Sequence, residues 1–235
     1  MTPRKPIVAL DGPAGAGKSS VARELAAALG FLRVDTGALY RVVALAAERA
    51  GVAWSEGEAL GALARELVAR GDVSLSTDPR GGPDAAVWLE GGDVSDAIRT
   101  PTISRGASAV SAHAPVRAAL LELQRLLGRS GGVVVDGRDI GTVVFPDAEL
   151  KFFLTASAEV RARRRFDELE ARGVSTTFEQ TLREVVERDE ADTRRPIAPL
   201  MAAADAELVD TSSLSIDEVV ARLAERVRQR IPPDA

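Results

Sequence analysis

Eight residues near the start of the chain, Gly12-Pro13-Ala14-Gly15-Ala16-Gly17-Lys18-Ser19, fit G-x-x-x-x-G-K-[ST], the pattern of a loop that cradles phosphates. Its glycines let successive backbone N–H groups turn toward one centre. A helix opening after the loop adds the positive end of its dipole. Lys18 is placed to reach the terminal phosphates of a nucleotide, the Ser19 hydroxyl to bind Mg²⁺, and Ser20 completes the exit from the loop. Of the 30 basic residues, only Lys5, Lys18 and Lys151 are lysine. A basic position under no special demand would be arginine in this chain, so Lys18 has a reason to be lysine. A compact ammonium fits inside a tight loop where a planar guanidinium does not. A ligand-free Gly/Ala turn is the bland alternative, and it leaves Lys18 unexplained.

Four further groups of residues carry chemistry. Asp35-Thr36-Gly37-Ala38-Leu39-Tyr40-Arg41 follows an apolar run and opens a helix. Asp35 could hold a water on Mg²⁺, and Arg41 lies about a turn further on; a plain helix N-cap would use the same residues. Asp136-Gly137-Arg138-Asp139 follows Val133-Val134-Val135. So much charge at the exit of a buried strand suggests a ligand, although an Arg–Asp pair capping a turn would read alike. Arg161, Arg164 and Arg165 share one helix face, with Arg163 beside them, and repel one another. They call for an anion beyond what Asp167 or Glu168 supplies, unless the face is simply solvated. Arg188, Asp192 and Arg195 share a face if their helix runs on, while Glu184 and Arg188 could be an ordinary i, i+4 pair. His113, the only histidine, reads as structural, and Trp54 and Trp88 as packing residues. Many arginines beside a phosphate loop, with no conspicuous general base, match phosphoryl transfer between two phosphates. An acceptor phosphate oxygen is already a nucleophile, so alignment and charge cancellation matter more than proton abstraction.

The elements that must hold these residues are legible from periodicity. Short apolar strands are expected at Ile7–Leu10, Phe31–Val34, Gly132–Val135, Leu150–Leu154 and Glu207–Val209. Helices are expected at Gly17–Leu29, Gly37–Ala50, Glu56–Arg70, Thr102–Ser111, Pro115–Gly128, Ala158–Arg172, Thr177–Glu190 and Ile216–Ile231. Alternation of the two predicts a parallel sheet of βαβ units. The phosphate loop and Asp35-Thr36 then lie at the carboxyl edge of that sheet. Ser215 and Glu218 form a capping box. Asp72–Asp96 has no helical period and reads as short antiparallel strands, Val73–Ser76 and Ala86–Leu89, joined by the turn-rich Asp78-Pro79-Arg80-Gly81-Gly82-Pro83-Asp84. It is expected to stand off the core, as is a second, arginine-rich appendage over residues 158–199. Both are expected to move when ligands bind.

Composition narrows the class. The chain has 235 residues, enough for one α/β unit with appendages. Its net charge of −5 gives no global reason for binding a nucleic-acid polymer. It has no cysteine, hence no disulfide framework and no thiolate metal site. No apolar run approaches the ~20 residues of a membrane span. Met1–Pro6 lacks a signal-peptide core, so a cytoplasmic protein is expected, working as a monomer. The Asn-Lys-x-Asp guanine reader of GTPases is impossible in a chain without asparagine. A motor-type ATPase would end a strand in paired acidic residues, and a non-catalytic nucleotide-binding module would leave the arginine clusters idle.

On these motifs the chain resembles the bacterial cytidylate kinases, a family of nucleoside-monophosphate kinases. The resemblance runs through Asp11–Ser19, Asp35–Arg41, Asp136-Gly137-Arg138-Asp139-Ile140-Gly141-Thr142-Val143-Val144-Phe145-Pro146-Asp147-Ala148, the arginines after residue 158, Ala198-Pro199-Leu200 and Asp210-Thr211-Ser212. It implies an α/β fold of the P-loop NTPase type: a parallel sheet flanked by helices, a small antiparallel insert in the monophosphate-binding domain, and a helical lid. The corresponding division is a core over 1–50, 112–157 and 200–235, a monophosphate-binding region over 51–111 and a lid over 158–199. The activity implied is Mg²⁺-dependent transfer from ATP to CMP and dCMP. ATP would lie on Gly12–Ser20, with the lid arginines Arg161 and Arg165 closing over it. Thr36, Arg41, Arg138 and Arg195 would hold the phosphate of CMP. Ser108, Arg117 and Asp139 would read the cytosine edge, and Arg188 and Asp192 would contact the pentose. The groups expected at the reacting phosphates are Lys18, Arg138, Arg188, Arg195 and Asp35, the last also with Ser19 at the metal.

Overall fold

The computed structural model describes residues 4–77 and 85–231. The turn expected at residues 78–84 lies outside them. Packing divides the chain into two compact units, Met1–Leu32 with Gly131–Ala235, and Arg33–Ser130. Each has its own apolar core.

The first unit carries β1 (Ile7–Asp11), α1 (Lys18–Leu29), β6 (Val133–Asp136), β7 (Leu150–Thr155), α6 (Ala158–Ala171), α7 (Phe178–Arg194), β8 (Glu207–Asp210) and α8 (Ile216–Arg228). β1 pairs in parallel with β6 and β7, and β7 with β8. The full strand order is β2-β6-β1-β7-β8, and the division between the units falls inside β2 (Leu32–Asp35). All five residues of β1 and all four of β6 are buried. Such continuous apolar runs belong to a sheet covered on both faces. Val21, Leu25 and Ala26 of α1, Leu154 of β7 and Val219, Leu223 and Val227 of α8 form the core on this sheet. No residue of α6 or α7 joins that cluster. The expected capping box starts α8: Ser215 Oγ accepts the Glu218 N–H, and Glu218 accepts the Ser215 N–H at 2.8 Å.

The second unit carries α2 (Thr36–Ala50), α3 (Gly57–Arg70), β3 (Val73–Thr77), β4 (Ala85–Leu89), β5 (Gly92–Asp93), α4 (Pro101–Val110) and α5 (Ala114–Gly128). Its core joins Leu39, Val43 and Ala47 of α2, Leu60 and Leu67 of α3, Ile103 and Val110 of α4 and Leu120 of α5. The unit therefore reaches back to residue 33 and on to 130, because α2 and α5 pack with α3 and α4. The bounds 51–111 drawn from the resemblance do not coincide with it.

β3, β4 and β5 form a three-stranded antiparallel sheet, with Val73 opposite Leu89 and Leu75 opposite Val87. The packing of this sheet differs from what residues 72–96 led one to expect. The insert does not stand off: Val73, Val87, Leu89 and Val94 are buried in the core of this unit. The alternation of the short strands places their apolar residues on the face that meets the helices.

His113 and Trp54 prove structural. The His113 ring lies 2.9 Å from the Trp54 carbonyl, and Trp54 Nε1 donates to Ala44 O at 3.0 Å. α7 runs four residues past its expected end, so Arg188 and Asp192 lie on one helix, with Arg195 as its C-cap.

Candidate active site

In the first unit, the phosphate loop leaves the carboxyl end of β1 and the Asp136–Asp139 segment leaves that of β6. Parallel pairing sets Leu10 opposite Asp136, so the two segments emerge side by side. Gly12 is required by the fold: its φ is +143°, and a Cβ there would lie 2.0 Å from the Leu154 carbonyl oxygen. Gly17, at φ 86°, is the left-handed N-cap of α1.

Lys18 is buried, and its Nζ donates to Pro13 O at 2.6 Å. Burial and then the Arg138 charge push its pKa well below the ordinary lysine value; Arg188 adds to this, and Asp136 and Asp11 oppose it. The exposed Ser19 donates its hydroxyl to Asp136 Oδ2 at 3.0 Å. A hydroxyl oxygen next to a buried carboxylate is a donor set suited to a hard cation such as Mg²⁺.

Asp192 lies among the arginines. Arg138 Nε donates to it at 3.0 Å, and Arg188 and Arg195 act on it as well. Burial pushes the Asp192 carboxyl up, but the three guanidinium groups outweigh it and hold the pKa below the usual carboxylate range. Arg195 also donates Nε to Ala198 O at 3.0 Å, and Asp192 O accepts from Leu200 N at 2.9 Å. Ala198 adopts φ 49°, an uncommon conformation for a residue with a Cβ. Asp139 is buried at the head of a π-helical turn, Ile140–Val144, whose type no periodicity in the sequence betrays.

The arginines of α6 go to separate partners. Arg161 is buried; it pairs with Asp189 of α7 at 2.6 Å and donates to Ala156 O at 2.8 Å and to Ala14 O of the phosphate loop at 3.2 Å. Arg164, on the same expected arginine face but not assigned to ATP, donates to the Thr211 hydroxyl at 3.1 Å and to Thr211 O at 2.6 Å. Thr211 Oγ1 in turn lies 3.2 Å from Ala16 O. Arg165 pairs with Glu168 at 2.8 Å. The like-charge repulsion read from spacing is thus relieved by protein groups.

In the second unit, Asp35 meets protein groups on both carboxylate oxygens. As N-cap of α2 it accepts the Ala38 N–H at 3.2 Å, and Arg41 at 2.5 Å and Arg33 at 3.8 Å take its other oxygen. Burial raises its carboxyl pKa, but Arg41 and then Arg33 outweigh this, so the net shift is downward. A carboxylate so engaged by guanidinium groups is a poor cation ligand. Asp35, Arg41, Arg33 and Arg99 line a small cavity with Leu75, Val87 and Ile98; Arg33 and Arg99 carry no spacing signal. Thr36 is buried at the start of α2. Arg117 is buried, lies over the Tyr40 ring and donates to Ser111 O at 3.3 Å, while Ser111 Oγ donates to Ser108 O at 2.9 Å. Ser108 and Arg117 are thereby linked through one residue.

Comparison with known proteins agrees with this chemistry. The family model described as cytidylate kinase matches residues 8–229. A cytidylate kinase of Geobacter sp. (strain M21) is 52% identical over 225 residues, 96% of this chain and 94% of that protein. One from Pelotomaculum thermopropionicum is 51% identical over 222 residues, 94% of this chain and 96% of the relative. A solved structure of an uncharacterized protein from Eubacterium ventriosum superposes with a TM-score of 0.52 at 11% identity, over 96% of this chain and 100% of the other, a likeness of fold alone. A phosphate loop, an arginine cluster around one aspartate and a match spanning nearly every element lead to one conclusion: the chain belongs to the cytidylate kinase family.

Proposed function

We propose that the enzyme transfers the γ-phosphoryl group of ATP to the phosphate of CMP, giving ADP and CDP, and treats dCMP alike. The observation that carries this reading is the charge balance at Asp192: three guanidinium groups act on one carboxylate. The net charge of +2 complements an acceptor phosphate dianion. A CMP phosphate oxygen attacks the γ-phosphorus as the bond to the ADP leaving oxygen breaks, and no proton need be removed. Arg138, Arg188 and Arg195 position the acceptor phosphate and cancel its charge. Lys18 turns from Pro13 O to the terminal phosphates of ATP, which lies on Gly12–Ser20. The resemblance adds Thr36 and Arg41 to the groups for the CMP phosphate; the buried Arg41 Nε has no hydrogen-bond partner among the described residues.

Ser19 and Asp136 would hold Mg²⁺, which when bound neutralises charge on the β- and γ-phosphates. Asp136 replaces Asp35 in this reading, because Asp35 is committed to Arg41 and Arg33. Ser108, Arg117 and Asp139 read the cytosine edge. The Asp139 carboxylate accepts from the N4 amino group, which uracil lacks, and Arg117 donates to the base acceptors. Arg188 and Asp192 face the pentose. A cytoplasmic monomer suits two small substrates, and no helix among the described residues is long and apolar enough to cross a membrane.

ADP formation from ATP and Mg²⁺, measured with CMP, dCMP, UMP and AMP in turn, tests the proposal. CMP and dCMP are expected to exceed UMP in kcat/KM by at least about tenfold, the scale set by one mismatched buried hydrogen bond. Turnover of another monophosphate with none of CMP would overturn it.

A further inference from the structure

Asp11 ends β1 and is 4% exposed, and none of the roles above uses it. Its carboxylate oxygens each accept one backbone N–H, Oδ1 from Ile140 at 2.8 Å and Oδ2 from Gly141 at 2.7 Å. Ile140 and Gly141 open the π-helical turn that follows Asp139. The leading N–H groups of any helical turn lack partners within it, and the side chain of the preceding residue ordinarily meets them. Here the cap comes from Asp11 in place of Asp139. The Asp139 carbonyl meanwhile accepts Val143 N at 2.9 Å and Val144 N at 3.2 Å. Its backbone is therefore gripped on both sides, by the turn through its carbonyl and by Asp11 through the two amides that follow.

We propose that Asp11 is a positioning residue for base recognition: by capping the turn through the Ile140 and Gly141 amides, it fixes the Asp139 backbone and with it the place from which the Asp139 carboxylate meets the cytosine. The inference rests on the reading of Asp139 as a base-contacting group. Asp11 also immediately precedes Gly12, so one carboxylate anchors the base-reading segment to the strand that carries the phosphate loop. The arrangement works against charge: Asp139 disfavours the ionised Asp11, and Lys18 offsets this only in part. A neutral cap would avoid that cost but could not serve two N–H donors with two acceptor oxygens. Asparagine has nearly the same shape as Asp11, yet its amide NH₂ would oppose one of the two backbone donors.

The test compares Asp11→Asn with the wild type for CMP and UMP at saturating ATP, and separately measures KM for ATP. The expected result is a CMP KM raised by about tenfold, a narrowed CMP/UMP ratio of kcat/KM, and an ATP KM within about twofold of wild type. An unchanged ratio, or an ATP KM that rises in step with that of CMP, would overturn the inference, because a general packing defect has no preference among substrates. If Asp11→Asn does not fold, Asp11→Glu takes its place; it keeps the charge and both oxygens but displaces them by one methylene, and the same split is expected. Asp139→Ala separates the two readings. Should it leave the ratio intact, base reading by Asp139 fails. Should it narrow the ratio while the Asp11 variant does not, only the inference about Asp11 fails. In the Asp139→Ala background, Asp11→Asn is expected to alter the ratio no further.

Discussion

A buried carboxylate that serves two backbone N–H groups does so against its own desolvation. Burial raises the Asp11 pKa from 3.8 to about 6, although the bonds from Gly141 and Ile140 pull it down; Asp139 adds to the rise and Lys18 opposes it. The folded state thus holds the Asp11 proton more tightly than the unfolded chain. Its contribution to stability is fully present below about pH 4 and is lost as pH rises through 6, a change of about 3 kcal/mol. The unfolding free energy of wild type minus that of Asp11→Asn is therefore expected to fall between pH 4 and 6.5 and to level off above. Urea titrations at half-unit pH intervals measure it, and a flat difference would contradict the account. Asp192 has the opposite sign: its carboxyl is held low, so its contribution is lost as pH falls below the ordinary carboxylate range. Lys18 was legible from sequence because it stands out against an arginine background. The pairing of Asp136 with Ser19 and the cap given by Asp11 were not, since each joins residues more than a hundred positions apart that only the β1–β6 pairing brings together.

Elements transmit such contacts, and α6 and α7 show how unequal they are. Arg161 is buried and holds Asp189 on the neighbouring helix, a strand end through Ala156 and the phosphate loop through Ala14. Arg165, one turn along, pairs with Glu168 in contact with solvent. Removing one partner of a buried pair leaves an uncompensated charge, whereas exposed pairs contribute little. Asp189→Ala is accordingly expected to lower the unfolding free energy by about 3 kcal/mol, and Glu168→Ala by less than about 0.5 kcal/mol. Equal losses in denaturant titrations would mean that Arg161 finds solvent or another acceptor. Spacing alone put these arginines on one face; it could not tell that each would leave that face for a different acceptor. The strands were legible because buried parallel strands are continuous apolar runs. The turn at Ile140–Val144 was not, because its backbone is fixed by Asp11 rather than by any local pattern.

For the whole molecule, what decides local stability is which segments share in a core. The first unit's cluster takes in β1, β6, β7, β8, α1 and α8, and the second unit's takes in α2–α5 together with the insert. The helices α6 and α7 belong to neither; they bury Ala162, Leu169 and Val185 with the charged or polar Arg161, Thr181 and Asp192. Sequence treated the insert and the arginine-rich segment as equivalent appendages, since both interrupt the α/β pattern, but packing separates them. Segments with few buried apolar contacts open at low free energy, and ligands that bind their charged groups protect them. Hydrogen exchange is therefore expected to be slow in β3 and β4 with or without ligand, held by the Val73–Leu89 and Leu75–Val87 pairs. In α6 and α7 it is expected to be fast in the free enzyme and to slow by about tenfold or more with CMP plus a non-hydrolysable ATP analogue, as the phosphates take up the guanidinium groups. CMP alone should protect the end of α7 around Arg188–Arg195, and the analogue alone the phosphate loop and the start of α6. Equal protection of α6 and α7 in the free and doubly liganded enzyme would contradict a lid role for the pair. Fast, ligand-dependent exchange in β3 and β4 would show instead that the insert is the yielding element.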